Sequence, residues 1–184
     1  KENISKLILQ DLPFKLTNGQ LHALNEINND LKSDEKMFRV LQGDVGSGKT
    51  IVAMLSLANI IESKYQCALM SPTEILARQH YELAKKIFKN KDININYLSG
   101  KTEPKEKKQI LKKLEEGKID FLIGTHSLFQ KKIIFKKLGY VVIDEQHKFG
   151  VKQRSDLALK GGTNCDVLLM SATSIPRTMM MSLY

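Results

Sequence analysis

Residues 41–50 read LQGDVGSGKT, a stretch holding three glycines that closes on one lysine and one threonine. Glycine loses more conformational freedom on folding than any other residue, so a loop this rich in it is costly to order. The spacing indicates what is gained. Gly43, four further residues, Gly48, Lys49 and Thr50 fit G-x-x-x-x-G-K-[ST], the phosphate-binding loop. Glycines let the successive backbone N–H groups across Asp44, Val45, Gly46 and Ser47 turn toward one centre, where a bulky Cβ would block a phosphate. Lys49 would set a cation against the β- and γ-phosphates, and the Thr50 hydroxyl would complete the shell of a Mg²⁺ ion. A helix starting near Lys49 adds the positive end of its dipole, roughly half an elementary charge.

The flanking sequence points to the fold. An apolar strand pattern at 38–42 runs into the loop, and a helical pattern follows it through Ile51, Val52, Leu55, Leu57, Ala58 and Ile61. After an initial helix, strands are predicted at 38–42, 67–71, 93–98, 121–124, 140–144 and 167–171. Helices are predicted between them at 50–63, 73–89, 103–116 and 151–160. Such alternation implies an α/β domain, a mostly parallel sheet with helices on both faces. Runs such as YVVI and VLLM are continuously apolar, as strands buried on both faces should be.

A phosphate loop needs a partner acid. In YVVIDEQH (140–147), four apolar residues carry Asp144 and Glu145 to the carboxyl end of a buried strand, where open α/β sheets bind ligands. Asp144 is placed to hold Mg²⁺, directly or through water. Glu145 is placed to orient and deprotonate a water for attack on the γ-phosphate.

Bulk properties narrow the class. At 184 residues, with 42% hydrophobic and 27% charged residues, the chain suits one soluble globular domain. Its longest apolar stretch, 51–61, is far short of the ~20 residues that span a bilayer. No signal peptide is visible. Cys67 and Cys165 stand singly in apolar runs and predict buried thiols in a reducing cytosol, hence a cytoplasmic protein. The net charge is +9, and 25 of the 29 basic residues are Lys, a balance compatible with a polyanionic partner. The segment at 101–118 holds seven Lys and four Glu around a narrow apolar stripe (Ile110, Leu111, Leu114), which reads as a solvated helix face. The cluster KKIIFKK at 131–137 reads either as a solvated face or as a nucleic-acid contact.

Longer strings carry a resemblance. The D-E-x-H of DEQH after a hydrophobic strand, and SAT at 171–173, are similar to two motifs of superfamily 2 helicases. DEQHKFGVKQR together with MSATSIPRT resembles one family in particular, the RecG DNA helicases of fork reversal and branch migration. LPFKLTNGQ, SPTEILARQH, LSG and GTHSLFQ agree with that family, in its order, from about residue 12 to 178. Two positions depart from its pattern: Lys148 stands where Arg is usual, and Ser174 where Pro is usual. Transcription-repair coupling and primosomal helicases share parts of the pattern.

The resemblance implies a three-layer RecA-like P-loop NTPase domain over residues 1–184, the first motor domain of a helicase that uses ATP and Mg²⁺ on forked, junction or duplex DNA. Gln20 would read the adenine edge beside Phe14 and Lys15, although Thr17-x-x-Gln20 equally fits a helix capping box. Pro72, Thr73, Gly100, Thr125 and His126 would contact a nucleic-acid backbone. Gln146, His147, Ser171, Ala172 and Thr173 would relay the nucleotide state to the DNA side. The missing initiator Met and the end at Tyr184 lead to the expectation of an excised piece that lacks a wedge domain and a second RecA-like lobe. The expected whole is a monomer without membrane contact. The other readings are a motor lobe of another superfamily 2 helicase, RNA helicases included, and a nucleotide-gated binding module that is inactive in isolation.

Overall fold

A computed structural model of the chain describes residues 3–43, 48–145 and 165–172. Within them the order is α1 (Ile4–Asp11), α2 (Asn18–Lys32), β1 (Phe38–Gln42), α3 (Lys49–Glu62), β2 (Gln66–Met70) and α4 (Glu74–Ile87). Then come β3 (Ile95–Leu98), α5 (Pro104–Glu115), β4 (Phe121–Gly124), a short 3₁₀ turn (His126–Phe129), β5 (Leu138–Glu145) and β6 (Asp166–Ser171). The six strands form one sheet in the order β1-β6-β5-β2-β4-β3, and every described pairing is parallel. All carboxyl ends therefore meet along a single edge.

Strand alternation divides the core in two, because successive side chains point to opposite faces. Cys67, Leu69, Phe121, Ile123, Tyr140, Val142, Leu168 and Met170 face one layer, where α1, α2, α3 and α4 pack. Ala68, Met70, Leu122, Val141, Ile143, Val167 and Leu169 face the other, against Ile110 and Leu114 of α5. This is the predicted three-layer arrangement. Helix α3 has no polar face: Val52 through Ala58 and Ile61 are all buried, since α1 and α2 lie over it. The one hydroxyl in that run, Ser56, is satisfied by a 2.8 Å hydrogen bond with the buried Tyr140 hydroxyl.

The predicted strands and helices recur within a residue or two, with instructive shifts. Strand β3 starts at Ile95 rather than 93, because Asn94 is held by Asp120: its N–H donates to Asp120 Oδ2 at 2.8 Å. Helix α4 ends at Ile87, before Asn90 turns the backbone left-handed at φ 62°. The predicted helix at 151–160 lies outside the described residues. Both cysteines are free and buried, as expected, and burial pushes the Cys165 thiol up to about 12. Among the described residues no helix is long and apolar enough to cross a membrane.

Gly124 closes β4 directly before two predicted contact residues. A Cβ there would collide with the Leu98 carbonyl oxygen of β3, so only glycine allows the two strand ends to approach. A backbone oxygen cannot be moved aside by a rotamer change. Gly124→Ala should therefore lower stability by about 1–3 kcal/mol, the usual range for overpacking. Urea unfolding followed by circular dichroism would measure it.

Candidate functional site

The strand order splits the carboxyl edge. Ends of β1, β6 and β5 lie side by side, with Gln42, Ser171 and Glu145 in one register row. On the far side of β5 stand the ends of β2, β4 and β3, which lead to Pro72 and Thr73, to Thr125 and His126, and to Gly100. Of the predicted nucleotide residues, Gly43, Gly48, Lys49, Thr50 and the β5 acids follow the first half, and the predicted nucleic-acid residues follow the second.

In the first half the phosphate loop leaves β1 anchored, because the Gly43 N–H donates to the Ser171 carbonyl at 3.1 Å. The loop re-enters regular structure at Gly48, the N-cap of α3, whose φ of 81° is left-handed. Lys49 and Thr50 are the first residues of α3, and Lys49 Nζ donates to the Gly43 carbonyl across the loop. Asp44, Val45, Gly46 and Ser47 lie outside the described residues. The capping reading of Gln20 is observed here. Its Oε1 accepts from the Thr17 N–H at 2.9 Å and its own N–H donates to Thr17 Oγ1 at 3.2 Å, the complete capping box of α2. Its Nε2 lies against Gly48, where a Cβ would collide with it. Phe14 is 49% exposed and lines a hollow shared with Pro13 and Ile51 in the first turn of α3, with Lys15 exposed beside it.

The carboxylates close β5. Asp144 has the parity of Tyr140 and Val142, so its side chain lies on the α3–α4 face. There His80 Nε2 stands 2.7 Å from Asp144 Oδ2, with the two side chains 10% and 13% exposed. Glu145 is the last residue of the strand. Ser171 ends β6, buried, and Ala172 follows it exposed. Gln146, His147 and Thr173 lie outside the described residues, as do Lys148 and Ser174.

In the second half, Thr73 caps α4 by accepting the Leu76 N–H at 3.2 Å. Gly100 is exposed in a tight turn, which the Ser99 N–H closes by donating to Thr102 Oγ1 at 3.0 Å. Thr125 is only 3% exposed, so its side chain braces the β4 end, whereas His126 is exposed. The two lysine clusters read separately in sequence adjoin in space. Desolvation and the neighbouring Lys132 ammonium hold Lys107 below the usual lysine range, and Lys107 Nζ donates to Gln130 Oε1 at 3.2 Å.

His80 escaped the sequence reading. Its signal was present: the buried residues of α4 are Ala77, His80, Ala84 and Ile87, an i, i+3, i+7, i+10 stripe in which a histidine is the one polar member. What sequence could not supply was the partner, 64 positions away. Arg78, on the same helix, lies over the Tyr97 ring of β3 at 4.1 Å from its centroid. Helix α4 is thus tied to both β5 and the edge strand.

Comparison with known proteins agrees with this geometry. The DEAD/DEAH box helicase family pattern matches residues 17–181. ATP-dependent DNA helicase RecG of Aquifex aeolicus is 50% identical over 184 residues, which is all of this chain and 23% of that protein. RecG of Bacillus subtilis is 48% identical over 176 residues, 96% of this chain and 26% of that protein. The chain spans about a quarter of the length of each relative. A structure of RecG bound to a three-way DNA junction superimposes with TM-score 0.84 at 47% identity, covering 98% of this chain and 24% of that one. The DEAD-box helicase Mss116 bound to ssRNA gives TM-score 0.77 at 20% identity over 100% of this chain and 41% of that one, a likeness of fold.

Gly48 joins two demands in one residue, a left-handed φ and contact with Gln20. Gly48→Ala should cost about 1–2 kcal/mol for the left-handed backbone alone. Displacing Gln20 should add the loss of half a capping box, so a thermal melt of the variant should fall below that of Gln20→Ala.

Proposed function

Because this chain belongs to the DEAD/DEAH box helicase family, we propose that it is the first RecA-like motor domain of an ATP-dependent DNA helicase that remodels forked or junction DNA. One observation carries the reading: a single sheet edge presents a phosphate loop with its partner acids on β1, β6 and β5, and the second residue set on β2, β4 and β3. Near 50% identity to proteins named RecG across the whole chain supports DNA rather than RNA as the track. With only a quarter of those relatives spanned, a second RecA-like lobe and a wedge domain are the proposed partners within one longer protein. Two free buried thiols support a cytoplasmic setting.

ATP docks with its phosphates over the loop between Gly43 and Thr50, and its base beside Phe14, Lys15 and Gln20. Gln20 reads the adenine edge through its side-chain amide. Lys49 Nζ exchanges the Gly43 carbonyl for β- and γ-phosphate oxygens. The donors available for Mg²⁺ are the Thr50 hydroxyl and the Asp144 carboxylate, hard oxygens that suit this ion, while the nearby His80 nitrogen is already spent on Asp144. A Mg²⁺ ion held by these residues would neutralise the negative charge of the phosphates. Glu145 accepts the proton of the attacking water as the bond to the β–γ bridging oxygen breaks. Gln146, His147, Ser171, Ala172 and Thr173 relay the change in nucleotide state to the DNA side. On the other half, backbone N–H groups at Thr73, Gly100 and Thr125 and the His126 ring hold successive phosphates of one strand, and Pro72, which has no N–H to give, contacts that strand beside them. An arginine finger supplied across the cleft by the second lobe is worth on the order of 10³–10⁵ in rate, so this chain alone should turn over slowly.

Two measurements on the full-length helicase test these roles. Lys49→Ala should weaken ATP binding or abolish turnover, whereas Glu145→Gln should keep ATP–Mg²⁺ affinity and lose hydrolysis by about 10²–10⁴-fold. Wild-type turnover by Glu145→Gln would assign the base elsewhere. For DNA, log affinity should fall with log salt by about 0.9 per phosphate neutralised on duplex. His126→Ala should reduce fork-stimulated ATPase more than basal ATPase, and an equal loss of both would remove His126 from the track.

A further inference from the structure

We propose that His80 is a positioning residue, which fixes the rotamer of Asp144 and ties that carboxylate mechanically to the α4 end that carries Thr73. The inference rests on the reading of Asp144 as the metal-holding acid. An ionised carboxylate only accepts hydrogen bonds, so at 2.7 Å the hydrogen sits on His80 Nε2 and is donated to Asp144 Oδ2. Charge-assisted bonds of this kind are roughly twice as strong as neutral ones. With Oδ2 engaged, the carboxylate is held in one orientation, and Oδ1 remains for a cation or its water.

The surroundings suit this role better than simple packing. Ala77 and Ala84 flank His80 on the buried stripe, and both are fully buried, which lets the helix lie close enough for an imidazole to reach the strand end. An aliphatic side chain would fill the same volume without desolvating a ring nitrogen and a carboxylate together. Helix α4 is one uninterrupted segment, Glu74–Ile87, and its cap Thr73 lies seven residues from His80, about 10 Å along the axis. Arg78 stacked on Tyr97 holds the same helix on its outer flank. A displacement of the capped end therefore reaches Asp144 through a rigid helix and one hydrogen bond, without crossing a loop.

The test uses the full-length helicase with a fluorescent non-hydrolysable ATP analogue, titrated in Mg²⁺ and in EDTA, alongside the Mg²⁺ midpoint of fork-stimulated ATPase. His80→Leu should raise the Mg²⁺ midpoint and weaken Mg²⁺-dependent analogue binding by about tenfold, the scale of lost outer partners at metal sites. Binding in EDTA should stay unchanged. His80→Gln, whose amide nitrogen reaches the position of Nε2, should restore most of the loss, and the shorter His80→Asn should not. The Gln and Asn pair carries the test by itself if the Leu variant fails to fold. Equal losses with and without Mg²⁺, Gln no better than Asn, or wild-type behaviour throughout would each overturn the role. Asp144→Asn is the control. An unmoved Mg²⁺ midpoint there would remove the metal reading itself, whereas a shift there without one in the His80 variants would remove only this inference.

Discussion

The domain's working edge depends on the parallel pairing of β5 with β2 on one side and β6 on the other. Parallel pairing aligns carboxyl ends, and a strand shared by two neighbours fixes both relative to itself. Asp144 lies beside Met170, and Ile143 beside Met70, so one strand sets the depth of the acids against both halves of the edge. A one-residue slip of β5 would turn Asp144 to the opposite face. Tyr140 and Val142 are committed to one core, Val141 and Ile143 to the other, and the slip would take the Tyr140 hydroxyl away from Ser56, its buried partner at 2.8 Å.

That double commitment also explains why the fold was largely legible in the sequence. Strands buried on both faces must be apolar at every position, so β2, β4, β5 and β6 stand out as runs without alternation. Strand β3, half-buried at the sheet edge, begins two residues later than the pattern predicts, and its start is set by the Asn94 N–H donating to the Asp120 carboxylate, which no periodicity encodes. Helix α3 shows a subtler failure of pattern. Buried all round from Val52 to Ala58, it shows little amphipathic contrast, and it was found from the apolar helical pattern that begins directly after the phosphate-loop motif.

The site divides the same way. Contiguous motifs carried the phosphate loop, the acids and the strand-end loops, because each is built by neighbours in sequence. Relations between motifs did not appear. Nothing in TNGQ announces that a capping glutamine also rests on Gly48, since the two are brought together by the packing of α2 on α3. Nothing in ARQH announces Asp144. Sequence also suggested side-chain contact from Thr125 and His126 alike, whereas burial divides them into a brace and an exposed ring. Polar residues chosen for long-range partners look, one at a time, like residues chosen for solvent.

The position of β1 has a consequence in time. Among the described strands it is first in sequence, yet its one pairing among them is with the last, β6, and the Met37 N–H that donates to Asp166 bridges 129 positions of chain. At synthesis rates of about 5–20 residues per second that interval is on the order of ten seconds, during which Phe38–Gln42 lacks its partner among the described strands. The Gly43 anchor, whose acceptor is the Ser171 carbonyl, cannot form until then either. Gly43 thus gains its anchor only once β6 has docked beside β1, so the two ends of this stretch of chain become ordered together.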